Sequence, residues 1–142
     1  MGAGVAKVSS TDLFTLAQTL WGEARGEGIQ GLEAVAWVIR NRHEIHPRWK
    51  GLPIFQVCKA PYQFSCWLQN DPNYPKMLGL STDDALFVEC LISAAEVLGG
   101  QVVNPVGLST HYYAKGTPEP KWAIGKTPFV TIGHHMFYEH IA

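Results

Sequence analysis

Glu23 is the residue whose type and position could do acid chemistry. It lies one helical turn after Leu20 and two after Leu16, at the border of a helical stripe of Leu13, Leu16, Ala17, Leu20 and Ala24. A carboxylate at such a border is partly desolvated, which disfavours its charged form and raises its pKa. A raised pKa lets a carboxyl keep a proton near neutral pH, as a general acid must. Gly26 and Gly28 follow at once and leave the backbone open to an approaching polymer. On spacing alone a plainer alternative is the stronger one: a helix-end Glu in water, or paired with Arg25 or Arg40.

Other chemistries fit less well. In His43-Glu44-Ile45-His46 the two His are three apart, not the four of a zinc helix, and Pro47 breaks the helix directly after. His134 and His135 cannot both face one site in a strand. The reading therefore has no metal and no other cofactor. A cysteine nucleophile would need Cys58 or Cys66 at a helix start with a partnered His. Pro61 and the lack of a helical run after either Cys weigh against it. Cys58, Cys66 and Cys90 are odd in number and read as buried thiols, not as a disulfide framework.

The elements that must position Glu23 can be read from periodicity. Ser10 or Thr11 can cap a first helix that ends near Arg25, with Asp12 in its opening turn. A second helix fits Ile29 to about Arg42, with Ile29, Leu32, Val35, Ala36 and Ile39 inward. Residues 43–80 hold Pro47, Pro53, Pro61, Pro72 and Pro75, which exclude a long regular element. The aromatics between them suggest a surface segment packed on the body. A third helix is capped by Ser81 or Thr82 and ended by Gly99-Gly100. Short strands follow at Thr110–Tyr113, Phe129–Ile132 and Met136–Tyr138, with a hairpin turn at Gly133-His134. Helices first and short strands last give an α+β domain over residues 10–142, preceded by a flexible arm at 1–9.

The whole chain sets further bounds. Its 142 residues are 46% hydrophobic and 16% charged, enough apolar surface for a core and no signature of disorder. The formal net charge of −1 argues against nucleic acid as a partner. No run reaches the roughly 18 apolar residues of a spanning helix, so stable membrane insertion is not expected. The N-terminus lacks the apolar stretch of a secretory signal, which places synthesis in a cytoplasm.

Several separate motifs then occur in order. Glu23-Ala24-Arg25-Gly26-Glu27-Gly28 is followed by Gly31, Ala34-Val35, Val38 and Asn41-Arg42, then by Gln63-Phe64-Ser65. An Ala-rich helix with Ala94 and Ala95 ends in Gly99-Gly100. Thr110-His111-Tyr112-Tyr113, Trp122 and Thr131-Ile132-Gly133-His134-His135-Met136-Phe137-Tyr138 close the series. Together, from about residue 13 to 138, this pattern resembles the cell-wall hydrolase family of the spore-cortex-lytic (SleB) type.

That resemblance implies a lysozyme-like fold, mainly helical with a small C-terminal antiparallel β element. It also implies cleavage of peptidoglycan between N-acetylmuramic acid and N-acetylglucosamine by a lytic transglycosylase, with Glu23 as the catalytic acid and then base. Such an enzyme needs neither water nor a second carboxylate, unlike paired-carboxylate hydrolases. Glu27 is the one acid nearby, either a substrate contact or a partner for turn backbone donors. If it shares the cleft, hydrolysis as a lysozyme-type muramidase becomes the alternative. Gln63, Ser65, His111, Tyr112, Tyr113, Trp122 and His135 are the candidates for holding sugars, by amide, hydroxyl and aromatic groups. Strand alternation lets only one of Tyr112 and Tyr113 reach the groove. Many relatives carry an export signal and a separate wall-binding domain. Without them, the chain reads as a monomeric phage endolysin that reaches the wall through a holin. The non-enzymatic alternative is a peptidoglycan-binding virion module.

Overall fold

The computed structural model describes Gly4 and residues 8–142, and the N-terminal arm read at 1–9 lies largely outside the described residues. Helix α1 spans Ser10–Ala24, α2 Gly28–Ile45, α3 Ile54–Cys58, α4 Asn73–Leu78 and α5 Ala85–Leu98. Strands β1 (His111–Ala114), β2 (Val130–Ile132) and β3 (His135–Tyr138) form one antiparallel sheet in the order β1-β3-β2. The architecture is α+β and mainly helical, with the small sheet at the C-terminal end, as the patterning predicts. Among the described residues no helix is long and apolar enough to cross a membrane.

The first helix begins one residue earlier than expected, because Ser9 is its cap. The Ser9 hydroxyl accepts from the Asp12 N–H at 3.1 Å, and the Asp12 carboxylate accepts from the Ser9 N–H at 3.0 Å. The reciprocal pair satisfies two helix-end donors at once. The last long helix is capped by Asp84, not by Ser81 or Thr82: its carboxylate accepts from the Phe87 N–H at 2.8 Å. The Ser81 hydroxyl instead serves the preceding turn.

A larger difference concerns α2. A single buried stripe was expected with Ile29 inward, but Ile29 is 57% exposed, while Leu32 and every residue from Ala34 to Arg42 are buried. The helix runs between α1, α5 and the sheet, so its sides are covered all round. Its three consecutive polar residues are satisfied by carbonyls. Arg40 donates to Val97 O at 2.7 Å, Asn41 to Gly107 O and Ser109 O at 2.9 Å, and Arg42 to Thr110 O at 2.7 Å. Buried polar groups require such partners. Leu16, Leu20, Trp37, Ile39, Phe87 and Leu98 are among the side chains that fill the core around this helix.

Candidate active site

Glu23 occupies the last turn of α1 between the buried Leu20 and Ala24, and its side chain is half-buried. Gly22 sets what lies beside it. A methyl group there would fall 2.6 Å from Cys66 Cβ, 2.8 Å from Cys66 Sγ and 3.0 Å from Met77 Sδ. Only a residue without Cβ lets the 3-10 turn Ser65–Trp67 lie directly on the helix. Trp67 fastens that turn by donating from Nε1 to Thr19 Oγ1 at 2.9 Å. The Cys66 N–H is thereby brought to Glu23 Oε2 at 3.4 Å, and the Tyr112 hydroxyl donates to Oε1, also at 3.4 Å.

Neither arginine pairs with this carboxylate. Arg25 turns back onto its own helix, donating to Trp21 O at 2.9 Å and to Asn73 Oδ1 at 3.0 Å, with its guanidinium over the Trp21 ring. Arg40 pairs with Glu44 at 3.0 Å. The Glu23 pKa is accordingly raised, first by burial. The donors at Cys66 and Tyr112 pull it back, and the negative charge of Asp71 raises it further. The result is a carboxyl that holds its proton more tightly than one in water.

Behind Tyr112 stands Arg42, which the sequence reading did not place in the site. Its buried guanidinium lies over the rings of Trp49 and Phe64, donates to Thr110 O at the start of β1, and reaches Gln63 Oε1 at 3.3 Å. Burial lowers its pKa to about 10, so it stays charged at neutral pH. One side chain thus fixes the strand that carries Tyr112 and the loop that carries Gln63. Ser65 is exposed at the head of the 3-10 turn, next to Cys66.

Alternation along β1 and β3 divides the remaining candidates between the two faces of the sheet. Tyr112 packs with His135 and Phe137 on the Glu23 face. Tyr113 lies on the opposite face, stacked on Tyr138 and against Trp122, around a second small core with Ala123 and Ile141. His111 also turns that way, beside Trp122, Trp49 and His46. Burial and the neighbouring Arg42 push its pKa down to about 3. His111, Tyr113 and Trp122 therefore cluster together, apart from the carboxyl of Glu23.

Glu27 takes a different position from Glu23 despite lying four residues on. Its Oε1 accepts from the His134 N–H at 2.9 Å, and its Oε2 meets His134 Nδ1 at 3.1 Å. A side chain at Gly133, where φ is +58°, would collide with the same carboxylate. These hydrogen bonds hold the Glu27 pKa below the usual carboxylate value. Both oxygens are engaged in joining the α1–α2 turn to the β2–β3 hairpin.

The residues that raised other chemistries are committed elsewhere. His43 Nδ1 meets Leu52 O, and His46 Nε2 meets Ile141 O at 3.0 Å. Cys58, Cys66 and Cys90 are free and buried. Burial pushes the Cys58 and Cys90 thiols up to about 12 and raises Cys66 as well, the reverse of an activated nucleophile.

Comparison with known proteins adds a family. The model of the Cell Wall Hydrolase family matches residues 26–138, beginning three residues after Glu23. The spore cortex-lytic enzyme of Bacillus subtilis (strain 168) is 27% identical over 133 residues, which cover 92% of this chain and 38% of that relative. The chain thus spans less than two fifths of the relative's length. Among solved structures, the catalytic domain of the Bacillus cereus SleB protein matches with a TM-score of 0.72 at 24% identity, over 94% of each chain. The catalytic domain of the germination-specific lytic transglycosylase SleB from Bacillus anthracis matches with a TM-score of 0.70 at 24% identity, over 91% of this chain and 94% of that one. The folds are alike, and the family match covers most of the sequence: the chain belongs to the cell wall hydrolase family.

Proposed function

We propose that this protein cleaves the glycan strands of peptidoglycan between N-acetylmuramic acid and N-acetylglucosamine, as a lytic transglycosylase with Glu23 as its acid and base. The observation that carries the reading is a half-buried carboxyl of raised pKa that has hydrogen-bond donors around it but, among the described residues, no cation partner. Membership of the cell wall hydrolase family supports the polymer, and likeness to the germination-specific lytic transglycosylase SleB of Bacillus anthracis supports the reaction.

Glu23 gives its proton to the glycosidic oxygen as the bond from muramic acid C1 breaks, leaving an oxocarbenium-like centre. The new carboxylate is held by the Cys66 N–H and the Tyr112 hydroxyl. It then takes the proton of the muramic acid C6 hydroxyl, whose oxygen closes onto C1 to give a 1,6-anhydro end. Gln63 and Ser65 hold sugar substituents from the loop beside the acid. With Glu27 engaged by His134, no second carboxylate is assigned a step.

One observation favours hydrolysis as a second reading: the charge of Asp71 reaches Glu23. An Asp71 that activated water would make the enzyme a muramidase. Mass spectrometry of sacculi digested in heavy-oxygen water decides between them. Anhydro ends without label support the transglycosylase; labelled reducing ends establish hydrolysis; released stem peptides overturn both. Glu23→Gln should lower the cleavage rate by about 10²–10⁴-fold while still binding sacculi. A Glu23→Gln protein that cleaves at the unaltered rate removes Glu23 from the mechanism.

A further inference from the structure

His135 is 8% exposed, and its Nδ1 is sealed from solvent with no hydrogen-bond partner among the described residues. In the sheet it sits between Ala114 of β1 and Ile132 of β2, its ring tilted against Tyr112 with 4.8 Å between centroids. The charged or titratable groups that face it are Tyr112 from β1, Glu27 from the α1–α2 turn and its neighbour His134. The Glu27 oxygens meet the backbone N–H and the ring of His134, and neither bonds Nδ1.

A neutral imidazole carries one N–H and one lone pair. Buried donors without partners are rarer in folded proteins than buried acceptors without them, so the lone pair belongs on Nδ1 and the proton on Nε2. A second proton would have to sit on Nδ1, where nothing accepts it. Burial accordingly lowers the pKa of the ring, outweighing the pull of Glu27 in the other direction. The ring, tilted against that of Tyr112, whose hydroxyl contacts Glu23, is left with one usable group, a neutral Nε2–H.

We propose that His135 holds the substrate as an uncharged donor, its Nε2–H bonding a carbonyl oxygen of the N-acetyl or lactyl-amide group of the glycan. The proposal rests on the reading of Glu23 as the acid of a glycan-cleaving site, and it makes His135 a binding group rather than a second acid.

Two measurements test it separately from the fate of Glu23. Imidazole nitrogen NMR of the unliganded wild-type protein should find His135 uncharged at pH 6 with its proton on Nε2. A proton on Nδ1, or an imidazolium at that pH, overturns the proposal. Binding of a soluble muramyl disaccharide-peptide is then measured in the Glu23→Gln background. His135→Phe keeps a ring without the donor and should weaken binding about tenfold, the scale of one hydrogen bond. His135→Gln restores an N–H and should recover most of that loss. Equal affinity with His135 and with His135→Phe overturns the proposal. Turnover by the Glu23→Gln protein alone would count against the acid and leave the His135 outcome readable.

Discussion

The proton affinity of Glu23 is a balance between burial, which favours the neutral acid, and two donors, which favour the carboxylate. A general acid works while protonated, so activity should fall as pH rises through this pKa. Tyr112 stabilises the charged form through its hydroxyl. Its removal in Tyr112→Phe should therefore move the alkaline limb of the pH–activity profile to higher pH. The same substitution should slow the first step, where the carboxylate forms. A profile of kcat against pH checks both, and a limb that stays in place would detach the phenol from the acid. Glu27, four residues further, shows the opposite balance. The contrast explains why sequence could suggest an acid here but could not settle the role of Glu27: the deciding partner, His134, is 107 positions away.

At the scale of elements, two contacts of the α1 end govern the site. The 3-10 turn lies on α1 because position 22 has no side chain, so Gly22→Ala forces Cys66 away from the helix. Overpacking of this kind costs roughly 1–3 kcal/mol, read by thermal or denaturant unfolding. Because the Cys66 N–H moves with the turn, cleavage should drop more than stability does. The second contact is the Glu27–His134 link between the α1–α2 turn and the hairpin. Its lowered pKa means that the carboxylate adds stability above the unfolded-state value of about 4.3 and loses it as pH falls through the folded value. Glu27→Gln should thus cost on the order of 1 kcal/mol at pH 7. Unfolding curves of the two proteins should converge at acid pH, and a gap that persists there would assign the loss to packing instead.

Over the whole molecule, Arg42 joins the central helix, the first strand and the Gln63 loop. Arg42→Met would leave the Thr110 carbonyl unpaired, at a cost of about 1–3 kcal/mol, and release Gln63. Denaturant unfolding would show the first effect, and a raised KM for sacculi the second. Much of this architecture was legible beforehand. The long helices and all three strands follow apolar spacing, and their ends fall within about three residues of those expected. The short helices α3 and α4 were not legible, because Pro53, Pro72 and Pro75 read as breakers when they stand at helix starts, where proline is tolerated. The half-buried position of Glu23 could be read because its signal is local. Gly22, Cys66 and Arg42 could not, since each acts through a segment distant in the chain.

The three interior thiols have a practical consequence. With Cys58, Cys66 and Cys90 enclosed and poorly ionised, a maleimide fluorophore finds little to label in the native protein. Ser65→Cys would place one reactive handle on the surface beside Cys66, so a dye attached there could follow the arrival of a glycan at the loop in real time.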